Sequence, residues 1–164
     1  MNFYILFLSA LIPLVVGAIY YNPAVFGKAW MKAAGVTEDK LKTGNMALIF
    51  GLTYVFSLII SLFMSGYAIH QNNMDGLFLD SERFNVSAAE AEAFLTTFKE
   101  KYSHLHRTFS HGAVHGGISA IFFALPLMAI VSLFERRNWK YILIHTGYWF
   151  ITLVLMGGFI CAYL

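Results

Sequence analysis

Four long stretches of the chain carry almost no charge, and short polar segments separate them. Asn2–Tyr21, Met46–Ile69, Gly112–Phe134 and Tyr141–Leu164 each have about the length needed to cross a ~30 Å hydrocarbon core. The pattern predicts an all-α protein, a four-helix membrane bundle forming one domain over residues 1–164. Lipid offers no partner to a free backbone amide, so spans this apolar must be helical. Pro13 and Pro126 fall inside spans one and three and predict kinks there. Cleavage after Val16-Gly17-Ala18 is the rival reading of the first span, but no positive segment precedes it and the apolar run is long for a signal peptide.

The polar segments carry their own periodicity. Asn22-Pro23 reads as an N-cap followed by proline at the first helical position. Phe26, Ala29, Trp30 and Ala33 then line one face, Lys28 and Lys32 lie off it, and Gly35 is a natural terminator. This predicts a basic amphipathic helix over residues 23–34 lying at the membrane surface. Thr37, with Glu38 and Asp39 behind it, starts another helix that leads into span two. His70–Ser110 is the one sizeable polar excursion. Asn72, Asn73, Asp75 and Gly76 signal a turn. Ser87-Ala88-Ala89-Glu90 is a capping box, and Ala91, Phe94, Leu95, Phe98 and Tyr102 form one stripe, predicting a helix over residues 88–102. That stripe is expected to pack on the mouth of the bundle or on the lipid interface. Glu135-Arg136-Arg137-Asn138 is a tight charged turn, and Trp139 and Tyr141 suit the headgroup belt.

Composition agrees with a bilayer. The chain is 59% hydrophobic and only 12% charged, against roughly 25% charged in soluble proteins. A net charge of +2 without a basic stripe excludes nucleic acid as a partner. With four spans, one side carries Lys28, Lys32, Lys40, Lys42, Arg136, Arg137 and Lys140, seven basic residues against four in the excursion (Arg83, Lys99, Lys101, Arg107). The positive-inside rule then places both termini and the 70–110 excursion outside. Helical spans point to a bacterial inner membrane rather than an outer one.

Three segments carry a family resemblance. Pro23-Ala24-Val25-Phe26-Gly27-Lys28-Ala29-Trp30, His111-Gly112-Ala113-Val114-His115-Gly116, and Phe134-Glu135-Arg136-Arg137 through Gly147-Tyr148-Trp149 resemble the domain-of-unknown-function family seventeen-sixty-one. Those are small, largely bacterial four-span membrane proteins. The resemblance implies the fold and no activity.

Chemistry concentrates in histidine. His70, His104, His106, His111 and His115 all fall on the outer side, whereas His145 lies near the cytoplasmic start of span four, roughly 20 Å away in depth at 1.5 Å per residue. His111 and His115 at i, i+4 share a helix face and can offer two imidazoles to one metal. His104-x-His106 supplies a candidate third ligand, and His70 or Asp75 a fourth. Neutral imidazole suits zinc, copper, nickel or iron, and haem is the alternative. Equally, these side chains can serve as boundary residues that cap helices and meet lipid phosphate. His145 is expected to hydrogen-bond a neighbour, with Thr146, Tyr148 and Thr152 at hand.

Gly112-x-x-x-Gly116 with Gly117, and Gly157-Gly158 in span four, make smooth surfaces for close helix approach. They serve either the bundle itself or a homo-oligomer or larger membrane complex. The lone Cys161 rules out an intrachain disulfide and reads as a small packing residue. The spans hold no Asp, Glu, Lys or Arg at mid-depth, which argues against a pump or coupled transporter. No catalytic constellation is recognisable. The first expectation is therefore a non-catalytic accessory or scaffold subunit, the second a metal- or haem-binding redox component, and the third a small channel or carrier.

Overall fold

A computed structural model describes residues 2–164, and among them no strand occurs. The elements are α1 (Tyr4–Ser9), α2 (Ile12–Tyr20), α3 (Gly27–Ala34), α4 (Glu38–Lys42), α5 (Met46–Ala68), α6 (Met74–Leu77), α7 (Ala88–Tyr102), α8 (Phe109–Ser119), α9 (Leu125–Phe134) and α10 (Trp139–Tyr163). Three runs are long and apolar enough to cross a membrane: α5, α8 through α9, and α10. The run Tyr4–Tyr20 is also apolar but shorter, about 26 Å at 1.5 Å per residue.

The helices are apolar on the outside. Phe56, Ile59, Leu62 and Phe63 of α5 and Phe122, Phe123 and Val131 of the third run are all more than half exposed. Such a surface is stable only against lipid or another apolar partner. α10 is the interior helix, with Ile142, Thr152, Met156, Ile160 and Cys161 fully buried. Asn138 caps its start by accepting from the Tyr141 N–H at 2.9 Å.

Pro13 and Pro126 interrupt their helices in a defined way. Pro126 has no N–H, so the helix ahead of it widens into a π turn over Ala120–Ala124, where Leu125 N–H donates to the Ala120 carbonyl five residues back. Pro13 sits in the first turn of α2, and the chain breaks between α1 and α2 at Ala10–Leu11. The gap is bridged by polar contacts to α5: the Ser9 and Ser61 hydroxyls lie 2.6 Å apart, and Ser61 also donates to the Leu6 carbonyl.

The interfacial helix departs from expectation at its start. It begins at Gly27 rather than Pro23. Asn22 accepts from the Ala24 N–H two residues on, a local turn that competes with capping. Phe26 folds back to stack on Tyr20 with ring centroids 4.6 Å apart. Gly27 is required here because a Cβ would strike the Tyr21 carbonyl. The apolar stripe of α3 is turned to protein, since Ala29, Trp30 and Ala33 pack on Val16, Tyr20 and Ile144. Lys28 and Lys32 stay exposed. Gly35 ends the helix at φ +67.

α8 lies directly on α10. A Cβ on Gly112 would run into the Gly157 carbonyl, and one on Gly116 into the Leu153 carbonyl. Gly157 and Gly158 face back onto Gly112 and the Phe109 ring, and Gly117 meets Phe150 and Val154. These glycines are thus occupied within one chain, the first of the two uses expected for them.

In the excursion, Ser87 caps α7 through a reciprocal box with Glu90. The Ser87 hydroxyl, and with it the Ser87 N–H, hydrogen-bonds the Glu90 carboxylate and holds it below the ordinary glutamate range. The α7 stripe continues as a ring ladder, Phe78 on Phe94, Phe94 on Phe98 and Phe98 on Tyr102. Lys99 pairs with Asp75 at 2.6 Å.

Two outcomes are expected. Gly116→Ala forces α8 off α10 and should cost about 1–3 kcal/mol, read as a lower unfolding temperature in mild detergent. Gly51→Ala, where a Cβ meets nothing within 4 Å, should leave that temperature unchanged or raise it. Because the Glu90 value is depressed on folding, its contribution to α7 is present above the ordinary glutamate value and lost as pH falls through the lowered one. Protection of the Glu90 and Ala91 amides, relative to their intrinsic exchange at each pH, should fall over that acidic range, and Glu90→Ala should show the low protection already at neutral pH.

Candidate metal centre

Three polar tethers fix the chain where α5 ends. Asn72 and Asn73 donate side-chain N–H bonds back to the Ser65 and Gly66 carbonyls at 3.0 and 2.7 Å, satisfying acceptors that the helix end leaves open. Gln71 donates to the Tyr102 and Leu105 carbonyls, tying the turn to the end of α7. His70 opens the 3-10 turn His70–Asn73 held by these bonds.

Opposite it, Thr108 caps α8 by accepting from the His111 N–H. His111 and His115 then stand on successive turns of one face. The Nε2 atoms of His111 and His70 lie 3.2 Å apart, as do those of His115 and His111. All three nitrogens fall within 4.8 Å of one another. The rings meet edge-on, with centroids 4.6–5.2 Å apart.

This arrangement cannot be satisfied by hydrogen bonds among the three. An Nε2 atom carries either one proton or one lone pair, never both. His111 Nε2 therefore bonds one neighbour at most and is left in unbonded contact with the other. A cation between them removes the conflict, because each nitrogen then points a lone pair at it. Metal–nitrogen bonds of about 2.0–2.1 Å in tetrahedral geometry put ligand nitrogens about 3.3 Å apart, close to the spacing of the two pairs that share His111; the His70–His115 pair is bounded by 4.8 Å.

The remaining histidines are placed differently. His106 stacks on His111 with centroids 5.0 Å apart and 29° between planes, beside the trio rather than in it. Its backbone sits at φ 59, and its carbonyl accepts from the Thr108 N–H and the Cys161 thiol. The neighbouring Arg107 donates to the Cys161 carbonyl at 2.9 Å. Buried Cys161 thus fastens the His106–Arg107 turn to α10. His104 is exposed in the turn after α7 and does not join the group. Asp75, engaged by Lys99, does not join it either.

His145 lies with the opposite end of the bundle. Its Nδ1 is 2.9 Å from the Tyr21 hydroxyl, and Tyr141 packs against its ring. The expected partners Thr146, Tyr148 and Thr152 do not take this role. Tyr148 donates to the Pro13 carbonyl, and among the described residues the Thr146 and Thr152 hydroxyls have no hydrogen-bond partner. Trp30 packs on Tyr21, whereas Trp139 is exposed at the start of α10.

Sequence reasoning left His70 as one option among several and did not single out Tyr67. That ring lies edge-on to His115 at 5.1 Å, three residues before His70 and on the other side of the helix end, where Ile69 is extended.

No curated protein and no solved structure gives a significant match to the chain. Residues 5–161 match a family described as "Protein of unknown function (DUF1761)". With nearly its whole length covered, the chain belongs to that family.

Proposed function

We propose that this protein is a membrane-embedded metal-binding protein that holds one divalent transition-metal ion on His70, His111 and His115. The observation that carries the reading is the convergence of three Nε2 atoms around one that can bond only one of its neighbours. Neutral imidazole selects zinc, copper, nickel or iron(II) over magnesium or calcium. A haem does not fit between nitrogens 3.2 Å apart, because a porphyrin plane has no room there. In this reading the run Tyr4–Tyr20 crosses the bilayer as a fourth span, and the site opens on the outer face of a bacterial inner membrane.

An accessory or scaffold role is the second reading. It draws support from Leu77, Leu79 and Phe84, which are 71–75% exposed in the excursion and so present apolar area outside the spans. The glycine faces no longer argue for it. Photo-crosslinkers at Leu79 and Phe84, in cells, should capture a protein neighbour if this reading holds, and only lipid if it does not.

Protein purified in mild detergent without a histidine tag should carry about one equivalent of transition metal. His111→Ala and His115→Ala should each weaken binding by more than the about 10–100-fold that loss of a supporting partner costs. His104→Ala should leave it unchanged. Binding should also weaken at acidic pH, where imidazole takes up a proton instead of a metal. Equal metal content in wild type and the His111→Ala, His115→Ala double variant would sink the proposal.

A further inference from the structure

A cleft of about 360 Å³ adjoins the histidines, with His70 and His106 supplying its imidazoles and Met74, Phe98, Tyr102 and Leu105 its apolar wall. Gln71 also borders it, but its amide nitrogen is already committed to two backbone carbonyls. His70 is therefore common to the cleft and to the nitrogen trio.

The charge of the site decides what this cleft can hold. Three neutral imidazoles leave a divalent ion's two positive charges uncompensated, and sites with three protein ligands keep a fourth position for an exogenous one. No carboxylate borders the cleft, and the nearby Asp75 is paired with Lys99 at 2.6 Å. Water can fill that position, but an anion also offsets the charge, and the wall beside it is hydrocarbon and aromatic. Resting on the three-imidazole reading, we infer that the fourth metal ligand is the oxygen head of an anionic amphiphile whose hydrocarbon body lies along Met74, Phe98 and Leu105. A carboxylate and a phosphate monoester both supply such a head. The ring ladder from Phe78 through Phe94 to Phe98 and Tyr102 extends the same apolar surface along α7, giving a longer chain somewhere to lie.

The test uses the full-length protein loaded with cobalt(II) in a neutral maltoside detergent, whose visible bands report the metal's ligands. Titration with acetate, octanoate, octyl phosphate and octan-1-ol separates head from tail. Octanoate or octyl phosphate should shift the bands at about tenfold or more lower concentration than acetate, the gain expected from burying part of the chain, and whichever is tighter identifies the head. Octan-1-ol should not shift them. The Phe98→Ala, Leu105→Ala double variant, with its starting cobalt spectrum unchanged as the check on folding, should bring octanoate back to the level of acetate. Octanoate no tighter than acetate, or an advantage that survives in that variant, overturns the inference while leaving the metal site standing. Failure of cobalt to develop a histidine-ligated spectrum at all overturns the metal reading beneath it.

Discussion

The contact between α8 and α10 is closest where backbone meets backbone. Gly112 and Gly116 bring the backbone of one helix onto the carbonyls of Gly157 and Leu153 in the other, and lipid provides no hydrophobic force to draw helices together. Close backbone approach, with its dispersion and weak polar contacts, has to supply that attraction. Because His111 and His115 flank these same glycines on α8, the helix's position on α10 sets where the imidazoles stand. α5 reaches the same interface through Met64, which lies against Gly157 and Ser119, and its end delivers His70. The site thus rests on packing that carries no chemistry of its own.

Several polar groups of the bundle meet a matching partner, unlike the histidine trio. Ser9 meets Ser61, Tyr21 meets His145, Tyr148 meets the Pro13 carbonyl, and Cys161 meets the His106 carbonyl. Each is a pair in which donor and acceptor match, as low-dielectric surroundings demand. At the trio, three equivalent nitrogens share two contacts around one atom. A packing histidine would be expected to find a carbonyl or hydroxyl, as His145 does. Crowding three imidazoles together without one is costly unless a cation occupies the centre, and this mismatch separates the group from boundary histidines.

How far the fold was legible depends on the range of each interaction. The long apolar runs were readable because a bilayer demands them, and the α7 capping box because its two partners are three residues apart. The start of α3 was misread because Asn22 has two local options, and the stacking of Phe26 on Tyr20 accompanies the turn. The pairing of Tyr21 with His145 spans 124 residues and that of His70 with His111 spans 41. Nothing local encodes either. The i, i+4 spacing put His111 and His115 on one face, while the approach of His70 rather than His104 depends on where α5 ends against α8. The glycines were readable as contact surfaces, but whether their partner lay in the same chain was not.

The central claim is that three imidazoles, and no thiolate or carboxylate cage, hold a metal at the end of α8. X-ray absorption at the edge of the bound metal measures this directly, since imidazole gives a distinctive outer-shell pattern. The account predicts three imidazole nitrogens at about 2.0–2.1 Å plus one oxygen. A first shell containing sulfur at about 2.3 Å, or six oxygens without imidazole scattering, would contradict it.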